Sequence, residues 1–310
     1  MSSSSSLSNH YASLLKLSSQ TQNHSHVKNL HCFILKTLNL SADTFLSNSF
    51  ITCYSKCNLL GYARNLFDQI HHPNLFSWNA ILSAYSKAGR LPQMEQVFSS
   101  MPGRDGVSWN ALISGYAGQG SRDRAVGAYC SMLREGCAAP NRITFSTMLI
   151  LSSACSSPSL GQQVHCQIIK FGFESYVFVG SPLVDMYSKS GLIRESSRVF
   201  EGMKEKNIVM YNTMMTGLLR CGMVEDSKKL FGEMAEKDSI SWTTMVTGLT
   251  QNGLELEAIN LFRDMRAEDV PIDQFTFGSA LTACGLRKQS EPIVICKNMA
   301  SSQMILHLGV

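Results

Sequence analysis

The chain has 310 residues, 44% of them hydrophobic and 16% charged, with a formal net charge of +4. No apolar run approaches the ~20 residues that a bilayer-crossing helix needs, so no membrane span is expected, and so mild a charge permits an anionic partner without requiring one. Ten cysteines could suggest a disulfide scaffold, but Cys53, Cys57, Cys155, Cys221 and Cys284 fall in helix-like apolar segments and no C-x-x-C pair exists; they read as reduced, small core residues, and no zinc site is expected.

The chain opens on MSSSSSLSNHYASLLKLSSQTQNHSH, with no acidic residue before Asp43 and no Arg before Arg64. Ser-rich and acid-poor is the composition of an organelle transit peptide; the missing Arg leaves a polar leader, residues 1–7, as the alternative. From Ser8 the chain repeats itself. Aligned on an aromatic–Asn step it divides into repeats 8–43, 44–74, 75–105, 106–141, 142–176, 177–207, 208–238 and 239–273, and a partial repeat 274–285. LFSWNAILSAYSKAG (75–89), GVSWNALISGYAGQG (106–120) and SISWTTMVTGLTQNG (239–253) restate one helix, and IVMYNTMMTGLLRCG (208–222) varies it.

Each repeat predicts two helices. In 75–105 the first spans about Ser77 to Lys87, capped by Ser77 and closed by a left-handed Gly89. The second starts at Leu91–Pro92, where Pro suits the first turn, and ends near Met101–Pro102. Trp78, Ile81, Leu82 and Tyr85 recur at spacings of three and four and form one buried stripe, faced by Met94, Val97 and Phe98. ARNLFDQI, RESSRVFEGM, EDSKKLFGEM and LEAINLFRDM restate the second helix, each with a Phe-x-x-Met or Phe-x-x-Ile ending. One hairpin cannot bury its own apolar face, but a stack can. The expected fold is therefore all-α: a right-handed superhelical solenoid of antiparallel helix-turn-helix repeats, with Trp78, Trp109 and Trp242 in its core. After Gly285 the pattern fails, because nothing matches the LGQQVHCQIIKFG (160–172) of the earlier long repeat. Residues 286–310 are expected to be an off-pattern tail that leaves the last hairpin open, a divergent capping helix being the alternative.

Over residues 8–285 these repeats resemble the pentatricopeptide repeat (PPR) family, the RNA-binding helical hairpins of organelles. The tetratricopeptide pattern W-x-x-L-G-x-x-Y is absent. Lengths of 31, 35 and 36 residues are similar to the alternation of the plant PLS subfamily. In that frame 106–141 and 239–273 are standard repeats, 8–43, 142–176 and the one begun at Gln274 are long, and the 31-residue repeats are short. The resemblance also implies a chain that breaks off before any C-terminal editing domain of the E or DYW type.

In that family the residue after the aromatic and the last residue of the repeat together read one base. The resemblance makes Asn48 with Asn74 a reader of a pyrimidine, Asn79 with Asp105 of U, and Asn110 with Asn141 of C or U. It makes Ser181 with Asn207 a reader of A, Asn212 with Asp238 of U, and Thr243 with Asp273 of G. Ser146 with Tyr176 and Ala12 with Asp43 assign no base. An amide both donates and accepts, whereas a hydroxyl is shorter and leaves room for a purine. On the residues alone, Asn79, Asn110 and Asn212 fit equally well as first-turn residues that satisfy backbone. The second residue is apolar in every repeat but the first: Phe45, Phe76, Val107, Ile143, Phe178, Val209, Ile240 and Phe275. The resemblance makes it a wedge between bases, and packing between adjacent repeats is a compatible alternative.

The expected function is sequence-selective binding of single-stranded organellar RNA, at a site like 5′-Y-U-Y-N-A-U-G-3′, in RNA modification of the C-to-U editing type or another processing step. A protein-interaction solenoid without RNA binding is the alternative. The H-x-E and C-x-x-C zinc constellation of a cytidine deaminase is absent, so no catalysis, cofactor, metal or small-molecule substrate is expected, and a deaminase or other editing factor would act in trans. The mitochondrion is the expected compartment, with the chloroplast as alternative.

Overall fold

The computed structural model describes residues 24–37 and 43–287, together with residues 10, 11, 13–15 and 17. The leader 1–7 and the tail beyond Arg287 lie outside the described residues. The chain forms two compact bodies, Met1–Leu151 and Ser152–Val310. The first holds α1 (His24–Thr37), α2 (Thr44–Lys56), α3 (Leu60–Gln69), α4 (Leu75–Lys87), α5 (Leu91–Ser100), α6 (Gly106–Gly118), α7 (Arg122–Glu135) and most of α8 (Arg142–Ala154). The second holds α9 (Pro158–Lys170), α10 (Val177–Lys189), α11 (Ile193–Gly202), α12 (Ile208–Arg220), α13 (Val224–Glu233), α14 (Ser239–Gln251), α15 (Glu255–Ala267) and α16 (Gln274–Arg287). Even-numbered helices open a repeat and odd-numbered ones close it. Within each body a first helix packs on its own second helix and on the next first helix, as α4 does on α5 and α6, and α12 on α13 and α14. Among the described residues no helix is long and apolar enough to cross a membrane.

The first helices begin two residues earlier than the sequence predicts. Ser77 is not the cap of α4; Asn74 is, its side chain accepting the Ser77 N–H at 2.9 Å. Asn74 has extended backbone (φ −84°, ψ 174°), which lets its side chain fold back onto the third N–H of the helix, whereas Ser77 is already helical. Asp43, Asp105, Asn207 and Asp238 cap α2, α6, α12 and α14 in the same way. The last residue of one repeat thus starts the next. The left-handed closure holds as expected: Gly89 has φ 67°, and Gly120, Gly191, Gly222 and Gly253 share that conformation. Beyond Gly89, the Arg90 N–H returns to the Tyr85 carbonyl at 3.0 Å, satisfying an otherwise orphaned acceptor.

The second helices also end differently. In the short repeats the Met or Ile of the Phe-x-x-Met step lies just past the helix, in extended backbone, at Ile70, Met101, Met203 and Met234. These side chains are buried, so they plug the joint rather than extend the helix. Only α15 runs on, with Met265 inside it.

Aromatic pairs join successive repeats edge to face: Phe67–Trp78, Phe98–Trp109 and Phe231–Trp242, with ring centroids 4.8, 4.9 and 5.0 Å apart, and Phe200–Tyr211 at 5.2 Å. Trp109 and Trp242 are core residues. Trp78 is only half-buried, which corrects the expectation. Arg104 lies over Phe98, Lys237 over Phe231 and Arg64 over Phe67. None of the described cysteines is in a disulfide. Cys53, Cys57 and Cys284 are buried as expected, and Cys155 partly so; Cys221, at the C-cap of α12, is exposed, which corrects the expectation.

Candidate functional site

Folding leaves the second residue of every repeat from 44–74 onward in water. Phe45, Phe76, Val107 and Ile143 in the first body, and Phe178, Val209, Ile240 and Phe275 in the second, are between 47% (Ile143) and 66% (Phe275) exposed. Each sits in the first turn of its helix, just past the cap. Packing between repeats therefore hides less than about half of each side chain. A single exposed apolar residue needs no explanation, but a fixed position that is apolar and exposed in every repeat marks a binding surface.

Three residues further on, the chain turns polar and nearly buried. Asn79, Asn110 and Asn212 are each 8% exposed and Thr243 9%. The caps decide how these residues point. The Asp105 carboxylate accepts the N–H groups of Val107 and Ser108 at 3.1 and 2.9 Å. Being able only to accept, it turns the Asn79 amide so that Nδ2 faces it, at 3.1 and 3.3 Å. Asn212 Nδ2 donates to Asp238 in the same manner at 3.3 Å. The Asn141 carbonyl oxygen is held by the N–H groups of Ile143 (2.9 Å) and Thr144 (3.3 Å), and Asn110 Nδ2 donates to it at 3.1 Å. Burial raises the Asp105 and Asp238 carboxyl pKa values, but hydrogen bonds from Ser108, Asn79 and Val107, and from Ser241 and Asn212, outweigh it and leave both lowered. Asp273 is lowered by the Thr276 hydroxyl and N–H. All three carry charge at neutral pH.

The structure therefore joins three of the sequence-predicted pairs directly. Thr243 and Asp273 meet only through Thr276, whose hydroxyl contacts both. No hydrogen bond joins Asn48 to Asn74 or Ser181 to Asn207 among the described residues; Asn74 and Asn207 serve there as caps. Ser146 is buried, while Tyr176 is exposed and gives α10 no side-chain cap. Sequence reasoning missed the third residue of five repeats. Ser77, Ser108, Thr144, Ser241 and Thr276 are fully buried, and their hydroxyls all touch the preceding cap. The signal was present as a Ser or Thr three residues after an Asn or Asp, a variant of the capping box.

Several polar atoms here have no partner. The Oδ1 atoms of Asn48, Asn79 and Asn212 and the Oγ of Ser181 are buried and unbonded, a state that costs about 1–3 kcal/mol per group. The indole N–H groups of Trp109 and Trp242 share that state on the core side. In the second body the pairs open into grooves. One, of 290 Å³, is lined by Asn212 and Asp238 together with Val209, Ile240 and Arg220. The next, of 490 Å³, is lined by Thr243 and Asp273 together with Ile240, Phe275 and Arg220. Each of these two pairs shares its groove with two successive apolar second residues, and Ile240 and Arg220 line both grooves. Such a site suits a flat ring held by its faces and hydrogen-bonded at its edge, beside a cation.

Comparison with known proteins matches these repeats. A PPR repeat family model covers residues 104–150, and a PPR repeat model covers 45–72, 76–105, 181–208, 209–239 and 240–270; together they span more than half of the chain. A pentatricopeptide repeat-containing protein of Arabidopsis thaliana is 54% identical over 196 residues, 63% of this chain and 26% of that protein. A second from that plant is 48% identical over 191 residues, 62% of this chain and 27% of that protein. A third, named as chloroplastic/mitochondrial, is 28% identical over 220 residues, 70% of this chain and 30% of that protein. The chain thus spans between about a quarter and a third of these relatives' length. Among solved structures, the pentatricopeptide repeat protein PPR10 in complex with an 18-nt psaJ RNA element matches with a TM-score of 0.74 at 17% identity, over 92% of this chain and 43% of that one. PPR10 from maize matches with a TM-score of 0.71 at 17% identity, over 88% of this chain and 43% of that one. At that identity the likeness establishes the fold, an all-α solenoid of helical repeats.

Proposed function

This chain belongs to the pentatricopeptide repeat family, and we propose that it binds single-stranded RNA sequence-selectively, one base per repeat. The observation that carries this reading is the shared groove: an Asn–Asp or Thr–Asp pair together with two exposed apolar second residues. The apolar residues are the jaws, packing on base faces without regard to sequence, while the pair reads the edge. An Asn–Asp pair offers an amide donor and a carboxylate acceptor, which suits the acceptor and N–H donor on the edge of uracil. The readers are Asn48 with Asn74, Asn79 with Asp105, Asn110 with Asn141, Ser181 with Asn207, Asn212 with Asp238, and Thr243 with Asp273, for a site like 5′-Y-U-Y-N-A-U-G-3′. The repeat lengths favour a PLS-type array serving organellar RNA modification such as C-to-U editing, with a deaminase or editing factor in trans. Relatives named as mitochondrial or chloroplastic support an organelle, and the mitochondrion is the reading taken here.

The test is binding to a labelled RNA carrying 5′-CUUAAUG-3′, against the same RNA ending in A, across a salt series. Preference for G, lost in Thr243→Asn, and an affinity that falls steeply with salt are expected, since neutralised phosphates release counterions. A folded, helical protein that binds neither RNA at low salt would overturn the reading and favour a protein-interaction solenoid.

A further inference from the structure

The four reading asparagines differ in one respect. Asn48, Asn79 and Asn212 each have a buried, unpartnered Oδ1, whereas that of Asn110 is satisfied. Its partner is the Thr144 hydroxyl, which donates to it at 2.5 Å. After Asn48, Asn79 and Asn212 the corresponding third residues of the next repeats are Ser77, Ser108 and Ser241, and each hydroxyl turns to the cap alone. Threonine stands at that position after Thr243 as well. There Thr276 Oγ1 lies 2.6 Å from Asp273 Oδ1 and 2.5 Å from Thr243 Oγ1.

We propose that this buried third-position threonine sets the hydrogen-bond polarity of the reading residue before it, Thr144 presenting Asn110 as a donor and Thr276 presenting Thr243 as an acceptor. The inference rests on the RNA reading above. It follows from counting protons. The Thr144 oxygen accepts the Asn141 N–H at 3.1 Å and has one proton to give. The Asn141 oxygen already takes two backbone N–H groups and the Asn110 amide, and lies further off at 3.4 Å, so the proton goes to Asn110 Oδ1. With that oxygen engaged by Thr144 and one amide hydrogen on Asn141, Asn110 faces a ligand with its second N–H.

At Thr276 the cap is an aspartate, and the count reverses. The carboxylate can only accept, so the Thr276 proton goes to Asp273. Thr243 Oγ1 would otherwise oppose lone pair to lone pair with Thr276, so its own proton stays within the protein, shared between Thr276 and the Ser239 carbonyl that accepts it at 2.8 Å. What Thr243 and Asp273 show a ligand is then acceptors only. That edge suits guanine, whose N1–H and N2–H₂ both donate, better than adenine, which mixes an N6–H₂ donor with an N1 acceptor. A donor at Asn110 suits the O2 acceptor that both pyrimidines share, or N3 of cytosine. An Asn or Asp cap thus steers the same hydroxyl in opposite senses.

The experiment compares the wild-type chain with Thr276→Val and Thr144→Val on RNAs carrying 5′-CUUAAUN-3′ and 5′-CUNAAUG-3′, with each of the four bases at N. Valine keeps the shape of threonine and the backbone N–H that binds the cap. In T276V the Thr243 hydroxyl loses its inward partner and only the Ser239 carbonyl competes with adenine N1 for its proton, so the preference for G over A at the last position should fall several-fold, short of the roughly tenfold scale of one full hydrogen bond. In T144V the Asn110 oxygen is free to accept, and the third position should lose its pyrimidine preference while the last keeps its G. Unchanged base rankings in both variants would overturn the proposal. So would a uniform loss of affinity for every RNA accompanied by a drop in Tm, which would make the hydroxyls helix-end structure only. If the wild-type chain binds none of the RNAs while folded, the RNA reading itself fails and the positioning role falls with it.

Discussion

The joints at Asp238 and Tyr176 lie in one compact body, and each starts the first helix of a new repeat, but they are made of different chemistry. At Asp238 the cap accepts the Ser241 N–H and hydroxyl, each at 2.8 Å, and receives Asn212 as well. Behind it, Trp242 meets Phe231 edge to face. At Tyr176 no side chain caps the helix. The place of Trp242 is taken by Gly180, where a Cβ would come within 2.9 Å of Met203 Cε and 3.1 Å of Met210 Cε. An aromatic ring is replaced here by two methionines that fill the same space, and the polar link is a 2.8 Å hydrogen bond between His165 and Tyr187. The difference teaches that one residue can both start a helix and orient the polar side chain of the repeat before it: Asp238 caps α14 and holds Asn212, whereas Tyr176 gives α10 no side-chain cap.

The largest effect that separates the joints is on stability. Trp242→Ala should cost about 3–5 kcal/mol, seen in denaturant unfolding, because the ring is fully enclosed against Phe231. Gly180→Ala should cost less than about 1 kcal/mol, since the atoms it meets are the ends of flexible Met side chains. The next effect is on binding alone. Phe275→Ala should weaken RNA binding by about 1–3 kcal/mol, whatever base is present, with Tm unmoved because that ring is already exposed. Smaller again is the cap. Asp238→Ala should lose about 1 kcal/mol of stability together with the uracil preference of its repeat, and Tyr176→Asp should gain about 1 kcal/mol by installing the missing cap on extended backbone (φ −83°, ψ 118°).

The smallest is a separation in pH. Burial lowers the His165 pKa from its ordinary 6.5. As pH falls below that value the unfolded chain takes up a proton that the folded joint resists, so stability declines until the folded pKa is reached. At Asp238 burial raises the pKa, but the hydrogen bonds from Ser241 and Asn212 outweigh it and the net shift is below the ordinary 3.8. Its stabilisation therefore persists above that value and is lost as pH falls through the depressed one. Thermal unfolding across pH should show two steps, the upper one reduced by His165→Gln, with His31, lowered likewise by burial, keeping the rest, and the lower reduced by Asp238→Asn, with Asp105 and Asp273 keeping the rest.

The sequence by itself determined the repeat frame, the paired helices, the left-handed glycines at Gly89, Gly120, Gly191, Gly222 and Gly253, and the apolar row from Phe45 to Phe275. These are local: helical period, turn chemistry and recurrence are written in neighbouring residues. The tertiary structure decided what depends on partners far along the chain. That Asn74 rather than Ser77 caps α4 turned on which residue has extended backbone. That Trp78 is less covered than Trp109, and Cys221 exposed, turned on which side of a helix a neighbour reaches. The reading site itself is long-range: Asn79 finds Asp105 across 26 residues and Thr144 finds Asn110 across 34. A list of residues cannot show which way a single hydroxyl proton points; that is settled only when a carboxylate, an amide and a helix end compete for it in one buried place.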